Sequence, residues 1–515
     1  MSEDFFEKYK YKLLTRNQVK LKIGKFPRKD KVILCHGVFD VVHPGHVRHL
    51  AYAKSKADIL VASVTEDRFI EKGTYRPHVP ERLRALNLAA FEMVDYVFID
   101  DEAKPLVSLK TLQPDYFAKG FEYSKNDLPV ATQEESKVVE SYGGNMLFTP
   151  GDIIYSSSTL IKIAEPKLEI EKLISLMEMN NFSFKDLKIT IKNLKKHSVH
   201  VIGDTIVDSY TRTSLIGGQT KTPTLSVLKK SQDDYIGGAA IVARHLAATG
   251  AKVYFSTVLG DDNLKNFVIN GLKNDKVTIL PIIDNTRPTT NKNVIISSGY
   301  RLLKIDTLDN RPIFKKDMEQ ISKHIKKSNA KSIVFSDFRH GLFNKQSIPL
   351  FTASINPNVL KVADSQVASR WGNITEFKEF DIITPNEREA RFALADQDST
   401  VGALASKICE LSQCKILFLK LGEKGLFVNK SRNDNKASYF SIDTFTDNVQ
   451  DAVGAGDALL AYSTLAMLET KSEVVSAIIG SLAAACECEF DGNIPIQPDD
   501  ILKKIDDLEN RIQYG

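Results

Sequence analysis

The sequence predicts an α/β protein made of two separate open-sheet units, and three observations lead there. At 515 residues the chain exceeds what one hydrophobic core usually serves. Apolar strand-like runs alternate with amphipathic helical stretches, the pattern of parallel βαβ units. The alternation comes in two series, separated by a charged, helix-forming stretch at residues 165–197.

The first series opens with Lys31-Val32-Ile33-Leu34-Cys35 and a helical pattern from Val47 to Lys56. It continues through Ile59 to Val64, a helical Glu81 to Phe91 and Tyr96 to Ile99, and closes near Leu160 to Ile163. Residues 1–30 are a lead-in and residues 31–164 a first domain. Residues 165–197 carry a helical period over Leu168 to Met177 and predict a partly solvated connector. The second series starts at Val199 to Asp204 and defines a domain over residues 198–515. Its strands Ile333 to Asp337, Ile382 to Asn386 and Ile416 to Lys420 end in polar residues. In open parallel sheets the carboxyl ends of strands carry the ligand site, so these ends are candidates.

Composition narrows the function classes. The chain is 43% hydrophobic and 26% charged, as soluble globular proteins are, and a net charge of +4 gives no reason to expect a nucleic-acid partner. Glu3 and Asp4 stand where a secretory signal would carry basic residues. The apolar stretch Val474 to Phe490 is interrupted by Ser476, Ser481, Glu487 and Glu489, so it predicts a buried helix rather than a membrane span. Five unevenly spread cysteines argue against a disulfide framework, and Cys486 and Cys488 lack a second pair at zinc-site spacing. The expectation is buried thiols in a reducing cytoplasm, with no membrane contact.

Two constellations carry chemistry. Gly37 to His46 contains an H-x-G-H element between a strand and a helix. Gly45 permits close backbone approach, Pro44 pre-sets φ, and the helix start offers unpaired N–H groups to an anion. Two imidazoles placed there can donate to a phosphate as charge builds in an in-line displacement. The second constellation is Asp451-Ala452-Val453-Gly454-Ala455-Gly456-Asp457. Its G-A-G turn at a helix start is an anion cradle, and Asp457 beside it is placed to take a proton from an attacking hydroxyl.

The first segment resembles the H-x-G-H nucleotidyltransferases, the cytidylyltransferase-like family, which implies a Rossmann-like domain over about residues 31–163. Lys72-Gly73, Arg76-Pro77, Pro80, Arg82, the stretch Pro114 to Gly120 and Ser156-Ser157-Ser158-Thr159 look like its later motifs. The resemblance implies that His43 and His46 stabilise the transferred nucleotidyl group. It places nucleotide or phosphate against Gly37, Phe39, Asp40, Gly45, Lys72, Arg82, Lys119, Ser156, Ser157, Ser158 and Thr159. Asp451 to Asp457 is the signature of the PfkB/ribokinase family, and the likeness spans about residues 198–500. It implies a ribokinase-like domain with a small β lid near residues 210–235 and 285–305, and dimerisation through that lid. By likeness, Asp204, Asp208, Gly237, Gly238 and Asp457 bind sugar. Asn386, Glu389, Lys420, Gly422, Gly425, Asp451, Gly454, Ala455 and Gly456 bind nucleotide or phosphate, with Glu389 tied indirectly to Mg²⁺.

Both halves are most similar to the bifunctional heptose kinase/adenylyltransferases, here in reversed module order. His36 stands where those enzymes usually have Asn, Phe121 where they usually have Gly, and Ile241 where they usually have Asn, expected beside the sugar. The implied activity is a sugar kinase feeding a sugar-phosphate nucleotidyltransferase, with Mg²⁺ and ATP, or CTP at the first site. A CDP-activated polyol as product, or one silent module acting as a sensor or assembly domain, are the alternatives. The expected partners are sugar phosphates and nucleoside triphosphates.

Overall fold

The structure, a computed structural model, describes residues 7–70, 76–120, 130–149, 169–216, 225–366, 374–431, 438–446, 449–490 and 492–514. The chain divides into two compact units, Met1–Ser175 with Asp398–Ala403, and Leu176–Gln397 with Leu404–Gly515.

In the first unit a five-stranded parallel sheet is formed by β1 (Val32–Gly37), β2 (Ile59–Thr65), β3 (Tyr96–Asp100), β4 (Tyr116–Gly120) and β5 (Asn145–Thr149). Its order is β3-β2-β1-β4-β5. Helices α1 (Arg16–Ile23), α2 (Pro44–Lys54), α3 (Glu81–Ala89), α4 (Leu106–Leu112) and α5 (Val130–Ser141) accompany it. The apolar run of β1 has no polar face because both of its sides are covered. Ile33 and Cys35 pack with Leu50 of α2 and Leu88 of α3, while Val32 and Leu34 pack with Val19 of α1 and Leu109 of α4. Thr15 starts α1 through a reciprocal capping box with Gln18.

The second unit holds a nine-stranded sheet of β6 (Ser198–Gly203), β9 (Lys252–Leu259), β10 (Thr278–Ile283), β13 (Ser332–Asp337), β14 (Leu360–Ser365), β15 (Ile382–Ile383), β16 (Ile416–Lys420), β17 (Leu426–Lys430) and β18 (Ser438–Ile442). Their order is β10-β9-β6-β13-β14-β15-β16-β17-β18, with only β17 and β18 antiparallel to their neighbours. The excursions leaving this sheet build the small second sheet anticipated as a lid. It contains β7 (Thr205–Leu215), β8 (Val227–Gly238), β11 (Asn291–Ser297) and β12 (Tyr300–Thr307), in the order β12-β11-β7-β8.

Helix α6 (Phe184–Asn193) lies within the stretch read as a connector, yet it packs in the second unit against α9 (Ala455–Thr470) and α11 (Pro498–Tyr514). There Lys188 Nζ reaches Glu509 at 2.6 Å. Between α9 and α11 runs α10 (Glu473–Cys488), the apolar stretch with interspersed polar residues, and it is buried along almost its whole length. Among the described residues no helix is long and apolar enough to cross a membrane, and all five cysteines are free thiols.

Candidate active sites

In the first unit the strand order reverses at the β1–β4 border, where open sheets hold ligands beyond the strands' carboxyl ends. β1 ends there in His36 and Gly37, and β4 in Lys119 and Gly120. The chain then turns through Phe39, at φ +50°, and enters α2 with His43 as N-cap. The His43 Nδ1 accepts from the Gly45 amide at 3.1 Å, and Pro44 occupies the first helical position, where a missing N–H costs nothing. This geometry brings the His43 and His46 rings together with centroids 4.0 Å apart, and Phe39 meets His46 edge-on at 5.2 Å. Burial, helped by His43, pushes the His46 imidazole down to about 4, and burial lowers His43 too. Both rings are therefore neutral donors at pH 7 rather than cations.

Asp40 does something other than its expected part in nucleotide binding. It accepts from the His78 and Val79 amides at 2.8 and 3.0 Å and from Arg76 Nε at 2.9 Å. A buried carboxylate so occupied is an anchor for the loop after β2, and its negative charge has nothing to offer a phosphate. Lys119 is brought to the site but pairs with Glu135 at 2.8 Å, a partner a ligand would have to displace. Arg82 stands exposed on the first turn of α3. His36 binds Ser63 at 2.8 Å and Thr65 at 3.3 Å, and burial pushes it down to about 3, so it too is neutral. Lys72, Phe121, Ser156, Ser157, Ser158 and Thr159 lie outside the described residues.

Two residues here carried no motif. His49 meets Thr149 Oγ1 at 2.9 Å, and only its three-residue spacing from His46 hints at the same helix face. Arg84 is fully buried and gives its guanidinium to the Val38, Thr65 and Val79 carbonyls and the Asp67 carboxylate. It ties the segment after β1 to the end of β2 and the start of α3.

The second site is a cavity of about 750 Å³ between the large sheet and the lid. The glycine turn forms one wall. Gly454, the N-cap of α9, has φ +91°, and a side chain there would come within 2.8 Å of both Glu487 and Asn493. The first amides of α9 lack helical partners and carry the positive end of its dipole, which makes the turn an anion cradle. Asp457 follows one residue after Gly456, with its carboxyl buried. Burial, reinforced by the charge of Asp364 and opposed by Lys420, pushes it up to about 8.

Lys420, at the end of β16, donates to Asp364 Oδ1 at 2.8 Å, and Thr384 donates to the same oxygen at 2.7 Å. Burial works against the Lys420 charge, but Asp364, Glu389 and Asp457 together hold it above its ordinary range. N-x-x-E is a capping box at the start of α8 (Glu387–Leu394): Asn386 accepts from the Glu389 amide at 2.8 Å, and Glu389 from the Asn386 amide at 2.7 Å. Burial pushes Glu389 up to about 7 against the pull of Lys420. Among the described residues no three His, Cys, Asp or Glu side chains are grouped to hold a metal ion alone. Glu389 and Asp364, both lining the cavity beside Lys420, suit a cation that arrives already on triphosphate oxygens.

Most of the residues expected here come together: Asp208, Gly238, Asn386, Glu389, Lys420, Gly422, Gly425, Gly454, Ala455, Gly456 and Asp457 all line the cavity. Four do not. Asp204 is buried and accepts from the Phe338 and His340 amides at 3.0 and 3.2 Å, so it holds the loop after β13 instead of a sugar. Asp451 accepts from the Val453 amide at 3.1 Å and shapes its own turn. Gly237 lies beneath the Asp208 and Asn493 side chains. Ile241, on α7 (Ala239–Ala248), is fully buried in the core and does not reach the sugar side. Sequence reasoning missed Asp364, although the strand-end rule applies to it equally. It also gave no role to Lys292, Arg301 and Lys304, which line the cavity from the lid, although Lys292 ends the stretch Thr286 to Lys292 that resembles an inner strand of the heptose kinases.

Residues 196–499 match the model described as pfkB family carbohydrate kinase, well over half of the chain. The chain belongs to that family. Residues 34–164 match the cytidylyltransferase-like model, so the nucleotidyltransferase module precedes the kinase module. Among curated proteins it is similar to the bifunctional protein HldE of Aliarcobacter butzleri, 28% identical over 282 residues, covering 53% of this chain and 57% of that protein. It is also similar to HldE of Geobacter metallireducens, 40% identical over 121 residues, covering 23% and 24%. The matched portion is thus no more than about three-fifths of such relatives, the HldE of Helicobacter acinonychis reaching 61%. Phosphofructokinase-2 from Escherichia coli, 17% identical with a TM-score of 0.50 over 61% of this chain and 99% of its own, shares the fold.

Proposed function

We propose that the second unit phosphorylates a sugar phosphate from MgATP and that the first couples a sugar phosphate to a nucleotide, giving a nucleotide-activated sugar of the ADP-heptose kind. The observation that carries this reading is the company Asp457 keeps. One cavity gathers a buried carboxyl, an anion cradle and Lys420 at one side, with Lys292, Arg301 and Lys304 facing them from the lid. Cations on the acceptor side suit a sugar that already bears a phosphate. The bifunctional HldE relatives support the pairing of the two activities.

In the kinase step Asp457 accepts the proton of the acceptor hydroxyl as its oxygen bonds to the γ-phosphorus. The bond from that phosphorus to the β,γ-bridging oxygen breaks, and ADP leaves with its electron pair. The Gly454 to Gly456 amides receive the charge of the passing phosphoryl group, and Lys420 offsets it from the other side. Mg²⁺, carried in on the triphosphate next to Glu389 and Asp364, would neutralise its remaining oxygens. In the transferase step a phosphate oxygen of the sugar attacks the α-phosphorus and pyrophosphate leaves. His43 and His46, being neutral, donate hydrogen bonds to the α-phosphate oxygens. No enzyme-bound covalent intermediate is needed.

Ile241 gives no reason to regard the kinase as silent, because it stands in the core and not at the cavity. Leu215, Leu228, Tyr300 and Leu303 are exposed on the lid strands, and a second copy of the chain packing there is the proposed oligomer. The test is a coupled assay on the purified chain with heptose 7-phosphate and ATP or CTP. The reading expects ADP first, then pyrophosphate. Asp457→Asn fed the kinase product should still release pyrophosphate, and His46→Ala should not. Failure to turn over any sugar phosphate at either site would end the proposal.

A further inference from the structure

Asn493 belongs to no motif, yet it touches two of them. It follows α10 in a short segment that is fixed on several sides. A side chain on Gly492 would meet the Tyr235 ring, the Ile496 amide donates to His245 of α7 at 3.1 Å, and the Ile496 carbonyl accepts from Tyr462 of α9 at 2.7 Å. From that segment the Asn493 Nδ2 donates to Asp208 Oδ2, on lid strand β7, at 3.1 Å. Its Oδ1 lies 2.8 Å from where a side chain on Gly454 would begin, and its Nδ2 lies 3.0 Å from the same point on Gly237. The two glycines stand in separate sequence motifs, and the same amide lies over both. The orientation of that amide suits an ionised Asp208, which accepts and so faces the NH₂ group.

We infer that Asn493 is a positioning residue for the kinase: it spans from the lid's Asp208 to the Gly454 turn and sets the acceptor-binding carboxylate relative to the phosphoryl cradle and Asp457. The inference rests on the kinase reading of this site and adds the residue that ties its two halves. An amide suits the position because it is neutral. Asp208 accepts from it, Glu487 reaches the same point over Gly454, and among the described residues Asn493 Oδ1 and Asp457 Oδ1 are buried without a hydrogen-bonding partner. A carboxylate in place of the amide would lose the bond to Asp208 and further disfavour the charged forms of Asp457 and Glu487.

The groups that bear on Asp457 are Asp364 of β14, Lys420 of β16, Asp208 of β7 and Glu389 of α8, with Glu487 of α10 on the far side of the turn. Against that background Asn493→Ala and Asn493→Asp give separable results in steady-state kinase assays with the sugar-phosphate acceptor and ATP. Asn493→Ala loses a hydrogen bond to a charged group, so the acceptor KM rises about 10-fold while the KM for ATP stays within about 2-fold. Asn493→Asp also adds a charge, and the acidic limb of kcat against pH moves upward by about one pH unit. Melting temperatures are followed in parallel. Equal loss of affinity for both substrates together with a large fall in melting temperature would make Asn493 merely structural and overturn the inference. So would variants kinetically identical to an active wild type. A wild type that transfers phosphate to no sugar phosphate would overturn both this inference and the kinase reading beneath it.

Discussion

Asp457 is an acid whose protein surroundings make it a base only above neutral pH. Burial holds its pKa up to about 8, so the group is protonated at pH 7 until a cation or substrate changes its neighbourhood. The kinase rate should therefore fall as pH drops below about 8 when kcat/KM is measured, because that quantity reports the free enzyme. Asp457→Asn removes proton acceptance at nearly constant shape and should lower kcat by about 10²–10⁴-fold with little change in ATP affinity by calorimetry. His46 behaves in the opposite sense. Its pKa near 4 keeps it a neutral donor throughout the physiological range, so pyrophosphate release should show no limb from this residue above pH 6. Lys292 ends a stretch that resembles an inner strand of the heptose kinases, but nothing local shows that its side chain faces the cavity. Lys292→Ala should raise the KM for a sugar phosphate and spare that for ATP.

The glycine turn and α10 behave as one element pair. Gly454 combines φ +91° with two side chains 2.8 Å from any added Cβ, so both backbone strain and steric overlap oppose substitution. Gly454→Ala should cost about 1–3 kcal/mol by denaturant melting and largely abolish kinase turnover. Behind the turn, Glu487 is pushed up to about 8 by burial and by Asp457. A carboxyl whose folded pKa is raised adds stability that is full below its unfolded pKa and is lost as pH rises through the folded one. Glu487→Gln, permanently neutral, should therefore come closest to wild type near pH 4.5 and melt about 2–4 °C higher at pH 9. In the other unit Arg84 clamps three carbonyls and Asp67 with no exposed surface, and Arg84→Met should destabilise that unit alone by about 3–5 kcal/mol, seen as a separate first transition in calorimetry.

At the scale of the whole chain, each unit carries its own sheet and its own site, so defects in one are expected to leave the other's chemistry intact. The proposed lid-to-lid dimer predicts that light scattering gives twice the chain mass for the wild type and the single-chain mass for Leu303→Lys. The fold class, the order of the modules and the two catalytic signatures were legible in the sequence, because strand–helix alternation, the H-x-G-H turn and the G-A-G-D helix start are local patterns whose physics is set by neighbours in the chain. The placement of Ile241 beside a sugar and of Asp40 and Asp204 on ligands was not legible. Whether a side chain points into a cavity or back at a backbone amide depends on segments dozens of residues away: Val79 for Asp40, Phe338 and His340 for Asp204. The same holds for the lid's cations and for Asn493. Sequence by itself determined which local turns could cradle phosphate. Only the tertiary structure decided which charges face those turns, since burial and pairing belong to three-dimensional neighbours.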